Sequence, residues 1–161
     1  MTNETTIQMR PNESHIQMLK LSKKADYGLI ALRHLATSEG DEALSAADIA
    51  EMYGISAPLM AKILQRLARK GLVQARHGSG GGYTLARAPG SITALEVIDA
   101  IDGPLFITSC VTNRGECGHT TTCTVREPLR RINESILQVL STLTISQMVQ
   151  ADGSAVVELR T

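Results

Sequence analysis

The three cysteines of this chain lie in one short segment, CVTNRGECGHTTTC, at Cys110, Cys117 and Cys123. Their thiolates are soft ligands, which suit iron–sulfur clusters, zinc and Cu(I). A closed site for such metals usually has four protein ligands, and the spacing C-x6-C-x5-C supplies three of them. The segment therefore predicts a metal centre that needs one ligand besides the cysteines.

Three interpretations of the cysteine segment are compatible with its residues. An iron–sulfur cluster, 2Fe-2S or 4Fe-4S, would use the three thiolates and a fourth donor. Zinc would be closed by His119 into a structural site with three cysteines and one histidine. Redox chemistry of metal-free thiols is the third interpretation. Glycines and threonines surround Cys117, so a bound metal would order the loop, and we favour the cluster.

The composition predicts one cytoplasmic domain, with or without an appendage. Apolar residues make up 43% of the 161-residue chain and aromatic residues 2%, so the core must be largely aliphatic. The polar start, MTNETTIQMRPNESHIQ, has no apolar signal region, and no run approaches the roughly 18 apolar residues of a membrane span. Residues 1–18 are predicted to be a mobile extension, and the chain is expected in the cytoplasm, where thiols stay reduced.

A formal net charge of zero conceals an uneven distribution of charge. No acidic residue lies between Glu51 and Glu96, whereas six basic residues do. They are Lys62, Arg66, Arg69, Lys70, Arg76 and Arg87. Such a block is typical of a surface that binds a polyanion, and the alternative is a solvated basic face.

The basic block lies in a predicted helix-turn-helix that follows a first helix over residues 22–38. Ser45 caps a short second helix that ends at Gly54, and Ser56 caps a third helix that ends beside Gly71. Two helices joined by a tight glycine turn are typical of this motif. The first helix is expected to place one periodic face on the core. That face comprises Tyr27, Ile30, Ala31, His34 and Leu35.

The third helix separates apolar from basic side chains. The apolar stripe contains Met60, Ile63, Leu64 and Leu67. A different face carries Lys62, Gln65, Arg66 and Arg69. Such a helix packs against a core and contacts phosphate at the same time, although an ordinary surface helix has the same pattern. The residues predicted to bind DNA from this helix are Ser56, Lys62, Gln65 and Arg66.

The segment GLVQARHGSGGGYTLAR predicts a strand, a glycine-rich turn and a second strand. A β-hairpin directly after a helix-turn-helix is a wing. Arg76 and His77, beside its glycine-rich tip, are predicted to contact the DNA backbone or minor groove. A phosphate cradle for a nucleotide is the weaker interpretation, because neither a Lys-Ser/Thr pair nor a helix follows the glycines.

The strongest periodic pattern follows the cysteine segment. Apolar residues step by four and three positions, as in the seam of a coiled coil. This seam comprises Val125, Leu129, Ile132, Ile136, Val139 and Leu143. Its partner is either the chain's own winged domain or the same helix of a second chain. We favour the second chain, because a winged helix that reads a two-fold DNA site should be a dimer.

Taken together, these stretches resemble the bacterial winged-helix regulators typified by the iron–sulfur cluster regulator IscR and the nitric-oxide sensor NsrR. The resemblance is greatest to the subgroup that regulates the SUF iron–sulfur assembly system. It rests on LSKKADYGL, SAADIAEMYGIS, GGGYTLAR, EVIDAIDGPL, the three cysteines and VREPLRRIN, and it spans about Leu19 to Val149. It implies a cytoplasmic homodimer that binds DNA through its winged domain and holds a cluster in the cysteine loop.

The resemblance also implies a fourth ligand. Asp26 matches the acidic position that completes the cluster from the opposite subunit in NsrR-like members. His119 and an exogenous thiol or water are the other candidates. A purely structural role for Asp26, at the positive N-terminus of its helix, is the alternative.

Several positions depart from the pattern of IscR-like members. The first gap between cysteines is one residue longer, and Arg126 stands where those members have a histidine. His77 occupies a wing position usually held by arginine, and Ala61 occupies that of an acidic residue early in the recognition helix. The resemblance therefore does not predict the target DNA sequence.

The sequence as a whole predicts a mainly α fold: a winged helix-turn-helix with a small β-hairpin wing and a long dimerisation helix. Residues 19–90 are the predicted DNA-binding domain, residues 91–149 the cysteine loop and dimerisation helix, and residues 150–161 a tail. The predicted function is a transcription regulator whose affinity for double-stranded promoter DNA depends on the cluster. Its genes would serve iron–sulfur assembly or redox and nitric-oxide responses. The alternative is a winged-helix interaction module with structural zinc; scattered histidines argue against an enzyme.

Overall fold

The computed structural model describes residues 21–38, 42–107 and 122–151. The first helices are α1 (Lys23–Thr37), α2 (Ala46–Met52) and α3 (Ala57–Arg69), and the strands are β1 (Val73–Arg76) and β2 (Gly82–Leu85). A 3₁₀ turn (Pro89–Ser91) leads to α4 (Ala94–Asp102), and α5 (Arg126–Thr142) and α6 (Ile145–Gln150) follow. This mainly helical fold with one antiparallel hairpin confirms the predicted winged helix-turn-helix. The predicted N-terminal extension, the tail beyond residue 151 and most of the cysteine segment lie outside the described residues.

The helices begin at the capping residues that the sequence indicates. The Ser45 hydroxyl accepts from the Asp48 N–H and the Asp48 carboxylate accepts from the Ser45 N–H, which is a capping box at α2. The Ser56 hydroxyl accepts from the Leu59 N–H at the start of α3. Gly71 follows α3 with a φ of 71°, a left-handed conformation that glycine adopts without strain. The helix-turn-helix is therefore set by local capping as well as by packing.

The core lies between α1, α3 and α4, with contributions from β1 and α6. The four residues of the predicted apolar stripe of α3 are all buried, as expected. Helices α1 and α4 approach closely at Gly28, where an added Cβ would lie 3.3 Å from Cγ1 of Val97 and 3.4 Å from Cγ1 of Ile101. Glycine at this point lets the last helix before the cysteine segment pack against the first helix.

The predicted buried face of α1 is partly wrong. Ala31 and Leu35 are buried, but the face is centred on small residues and Leu32, and Tyr27, Ile30 and His34 are only half-buried. The sequence pattern favoured the large side chains of α1 as its buried face, whereas α4 packs against the small residues of that helix. His34 instead pairs with α2, because its Nδ1 lies 3.2 Å from the Tyr53 hydroxyl.

The periodic pattern does not predict α6, which completes the core. Thr144 and Gln147 form a capping box at its start, and Ile145 is fully buried. The Ile145 N–H donates to the Ile92 carbonyl over 2.9 Å, and Arg33 Nε donates to the Met148 carbonyl over 3.2 Å. Residues on both sides of the cysteine segment therefore belong to one hydrophobic core.

Candidate nucleic-acid interface and thiol site

Helix α3 presents the chemistry expected of a recognition helix. The predicted contact residues are all exposed: Ser56 at the N-cap, and Lys62, Gln65 and Arg66 on the side away from the buried stripe. Ala57 and Pro58 are exposed in the first turn, which contains no acidic side chain. A helix with a small N-terminal turn and cations on its outer face fits the major groove and the phosphates beside it.

Arg66 has a contact that distinguishes it from its neighbours on α3. Its Nη1 donates to the Ile101 carbonyl over 2.7 Å, in a partly buried position at the end of α4. A sequence separation of 35 residues gives no pattern from which this bond could be predicted. One predicted DNA contact is therefore also a contact between the recognition helix and the helix that precedes the cysteine segment.

The hairpin is fixed at its base and glycine-rich at its tip. Leu44 and Tyr83 exchange two backbone hydrogen bonds, of 3.1 and 2.8 Å, which join β2 to the segment before α2. An added Cβ on Gly82 would lie 2.5 Å from the Leu44 carbonyl, so this approach requires glycine. The predicted wing contacts Arg76 and His77 are exposed beyond this fixed base. The hairpin is thus joined to the helix-turn-helix at its base and carries both side chains beyond it.

Two cations of the basic block face carboxylates of α4. Arg87 pairs with Glu96 over 2.8 Å. Burial alone would raise the pKa of Glu96, but hydrogen bonds from the Thr93 backbone and from Arg87 outweigh it and lower that pKa. Burial raises the pKa of Asp99, and the charge of Lys70 opposes this effect. Two of the six cations of the basic block are therefore partly offset by carboxylates of the same chain.

Cys123 is the predicted thiol ligand that lies within the described residues. It is half-buried, three residues before α5. With Arg126, Glu127 and Arg130 it lines an open cavity of about 410 Å³. Hydrogen bonds from Arg130 and Arg131 lower the pKa of Glu127 to about 2, so this carboxylate is charged and ion-paired beside the thiol. Cys110, Cys117 and His119 lie outside the described residues.

Asp26, the predicted cross-subunit ligand, is exposed in the first turn of α1. This position leaves its carboxylate accessible to a second chain and also suits an interaction with the helix dipole. Within residues 21–38, 42–107 and 122–151, no three His, Cys, Asp or Glu side chains converge on one point. The predicted donor set of three thiols and one carboxylate is chemically suited to an iron–sulfur cluster.

The seam of α5 is only partly covered by the described residues of its own chain, since three of its six members are half-buried. Val125 is 54% exposed, Ile132 50% and Val139 56%. Leu140, on an adjacent face, packs against the core. The helix thus contacts its own domain with one face, and about half of the apolar seam is exposed among the described residues.

Two further contacts of this region were not indicated by the sequence pattern. The Ile107 N–H donates to Oδ1 of Asn133, which is buried in the middle of α5. The Ser22 hydroxyl donates to the Asp102 carboxylate over 2.7 Å. In the sequence, the only indication of a role for Asn133 was its position as a polar residue beside the apolar seam. The bond between Ser22 and Asp102 joins residues 80 positions apart and has no sequence signal.

Among the described residues, no helix is both long enough and apolar enough to span a bilayer.

Comparisons with known proteins agree with this architecture. The family model Rrf2, described as an iron-dependent transcriptional regulator, matches residues 21–151. The chain is 31% identical over 131 residues to the HTH-type transcriptional regulator IscR of Klebsiella pneumoniae, a match that covers 81% of this chain and 80% of that protein. Its fold is similar to that of CymR, the global cysteine regulator of B. subtilis, with a TM-score of 0.68, 28% identity, and coverage of 83% of this chain and 98% of CymR. T. potens IscR gives a TM-score of 0.67 and 28% identity, with coverage of 86% of this chain and 94% of that one.

Proposed function

Because the chain belongs to the Rrf2 family of iron-dependent transcriptional regulators, we propose that it binds promoter DNA as a homodimer whose affinity is set by an iron–sulfur cluster. The family consists of transcriptional regulators, so the chain is a regulator rather than an enzyme. One observation carries the finer proposal. Cys123 lies three residues before a helix whose apolar seam is partly exposed, so the cysteine segment (residues 110–123, the thiol segment) and the expected dimer contact are adjacent.

The exposed seam supports the dimer. Apolar surface in water is unfavourable by roughly 25 cal/mol per Å², and a contiguous apolar row on a helix is typical of a protein contact. A second copy of α5 has the same row and would bury both. A two-fold dimer then places two recognition helices on two half-sites of a palindromic duplex.

In this arrangement α3 enters the major groove. Lys62 and Gln65 are exposed on its outer face, and Ser56 lies at its N-terminal end. Gln65 is suited to reading a base edge through its amide, whereas Lys62 neutralises phosphate. Arg76 and His77 lie on the wing and would contact the backbone or the minor groove beside it.

The metal site would be formed by Cys110, Cys117 and Cys123, with Asp26 from the opposite subunit. A bound cluster supplies redox and ligand-exchange chemistry at iron. Asp26 would be a harder and more weakly held ligand than the thiolates, so the iron that it held would be the one most open to ligand exchange. Its position in the first turn of α1 would make cluster binding depend on how the two chains are placed. Such thiols need a reducing compartment, which is the cytoplasm.

By resemblance to IscR- and NsrR-like regulators, the proposed target genes serve iron–sulfur cluster assembly or the response to oxidants and nitric oxide. A selection of bound duplexes from random sequence, followed by a search for the selected site upstream of such genes, tests this assignment.

Anaerobic purification tests the cofactor. A protein that absorbs in the visible thiolate-to-iron region, and that binds a selected duplex with a different affinity after the metal is chelated, supports the proposal. A colourless protein with bound zinc would instead support a winged-helix module with a structural metal. Asp26→Ala and His119→Ala, reconstituted anaerobically, identify the fourth ligand. If only His119→Ala changes the spectrum and the lifetime of the cluster in air, the ligand is local and the cross-subunit arrangement is wrong.

A further inference from the structure

The C-terminal end of α4 is contacted by both α1 and α3 immediately before the chain enters the thiol segment. We propose that this end of α4 transmits the state of the metal site to the recognition helix, and that Arg66 is the positioning residue through which it does so. The proposal rests on the proposed function, since it needs a protein that binds both metal and DNA. It adds a specific route between those two sites.

The first contact of this route is the bond between Arg66 and Ile101. An α-helix leaves its last four carbonyls without a partner inside the helix, and the Ile101 carbonyl is one of these in α4. Nη1 of Arg66 donates to it over 2.7 Å, and a hydrogen bond from a charged donor is stronger than a neutral one. The Ile101 side chain is buried in the core, so packing determines where the carbonyl lies. A shift of this end of α4 therefore displaces the acceptor of Arg66.

The second contact comes from α1. The Ser22 hydroxyl accepts from the Ala25 N–H as the N-cap of α1, and it also donates to the Asp102 carboxylate. Asp26, the proposed metal ligand, lies one turn further along the same helix. Ile101 and Asp102 are adjacent, so a displacement of Asp26 by ligation acts on the residue beside the Arg66 acceptor.

The third contact fixes the other end of the connection. Residue Gly103 ends α4 with a φ of 85°, and the Ile107 N–H is held by the buried Asn133 of α5. Cys110 follows three residues later. Because this connection is hydrogen-bonded at Gly103 and at Ile107, we expect a shift at Ile107 to reach the end of α4.

Arg66 has room for a second position. A cavity of about 170 Å³ borders its side chain, lined by Lys24 of α1, Lys62 of α3 and Ile101 of α4 among others. A guanidinium that left the carbonyl would have this space beside it, so a turn toward a phosphate need not repack the core. Two such positions, bonded to α4 or turned to DNA, are the kind of two-state element that allosteric coupling requires.

The test compares Arg66→Met with Arg69→Met in the full-length dimer. Both variants remove one exposed cation from α3, and only Arg66 bonds to Ile101. The dissociation constant for a selected duplex is measured after reconstitution with iron and sulfide and again after chelation. We expect the two states of the wild type to differ by about 5- to 150-fold, the usual range of allosteric coupling. Arg69→Met should keep this ratio with weaker binding in both states. Arg66→Met should bring the ratio to within about twofold of one.

Linkage supplies a second readout, since DNA must change the metal affinity by the same factor as the metal changes the DNA affinity. The rate of iron loss to a ferrous chelator should respond to the duplex in the wild type and in Arg69→Met, but not in Arg66→Met. If Arg66→Met proves unfolded by circular dichroism, Asp102→Ala decides instead, because it breaks the α1 contact at an exposed residue and should also reduce the ratio.

The outcomes separate the two proposals. A wild-type ratio of one shows that metal does not control DNA binding, and the proposed function itself is then wrong. If the wild-type ratio is far from one and the folded Arg66→Met protein keeps that ratio, the proposed role of Arg66 is wrong but the proposed function stands. In that case Arg66 is a phosphate contact, and its loss weakens the loaded and metal-free forms equally.

Discussion

The backbone N–H of Ile107 donates to Oδ1 of Asn133 over 3.1 Å, which places the entrance of the thiol segment against the middle of α5. Asn133 is 3% exposed, whereas two seam residues of the same helix, Ile132 and Val139, are half exposed. A buried side-chain amide that satisfies a backbone N–H is a specific connection, because an apolar residue of similar size leaves that donor unpaired. The helix proposed to hold two chains together therefore also holds Ile107, which lies three residues before Cys110.

The first prediction concerns this bond. Asn133→Ala leaves the Ile107 N–H without its acceptor and should lower the free energy of unfolding by about 1–3 kcal/mol. Urea denaturation measures the loss, and hydrogen exchange of the Ile107 amide reports it locally. Ser141→Ala, an exposed change on the same helix, should stay within about 0.5 kcal/mol of the wild type. An Ile107 amide that exchanges equally slowly in both variants would contradict the role of Asn133.

The second prediction concerns the dimer. Ile132→Glu combined with Ile136→Glu puts charge on adjacent positions of the seam and should yield a monomer that has lost specific DNA binding, because one half-site lacks the affinity of two. Multi-angle light scattering at micromolar concentration measures the mass. Gln138→Glu, on an exposed face of the same helix, should remain a dimer. A wild-type monomer under these conditions would rule out the seam as a contact between chains.

The third prediction separates phosphate contacts from base readout on α3. Lys62→Ala should weaken binding to every duplex alike and reduce the slope of log affinity against log salt by about one. Gln65→Ala should instead cost about 1–3 kcal/mol of discrimination at one base pair per half-site. Titrations against selected and scrambled duplexes at several salt concentrations distinguish the two. Arg131→Ala, which removes a cation from α5, should leave the salt slope unchanged if the interface is confined to α3 and the wing.

The fourth prediction concerns pH. Arg130 and Arg131 lower the pKa of Glu127 from 4.5 to about 2. Because this folded-state pKa lies below the unfolded value, the charged carboxylate favours the folded state above pH 4.5, and its contribution is lost as the pH falls from 4.5 toward 2. The side chain is exposed, so the effect is small and high salt should weaken it. A carbon-detected NMR titration of the Glu127 carboxyl group measures it directly, and a midpoint near 4.5 in the folded protein would show that the ion pairs are absent in solution.

Local chemistry determined what the sequence could predict about the fold. The caps at Ser45 and Ser56, the left-handed Gly71 and the stripe on α3 depend on neighbouring residues, so their patterns are visible in a short window. The face of α1 depends on Gly28, whose importance comes from the approach of a helix about seventy residues away. Residue types alone do not reveal such an approach, because a glycine within a helix usually indicates a less stable helix rather than a close contact between helices.

The same distinction between local and tertiary causes applies to the candidate site. Exposure of Lys62 and Gln65 follows from helix periodicity, whereas the residues of β1 after Val73 are all exposed without alternation. The bond from Arg66 to Ile101 depends on tertiary placement, because a long cationic side chain has several possible directions and the acceptor is a backbone carbonyl. The assignment of Asp26 came from resemblance and stays a prediction.

The position of Ile145 has a consequence for how the protein is synthesised. This residue follows the thiol segment in the chain, yet it fills the core beneath the DNA-binding helices. A nascent chain that ends before residue 145 leaves that core open, so the helices before the thiol segment cannot reach their native packing until that segment has been translated. A premature stop within the thiol segment should therefore yield an unstable fragment for proteases to remove, and not a repressor or activator that has escaped control.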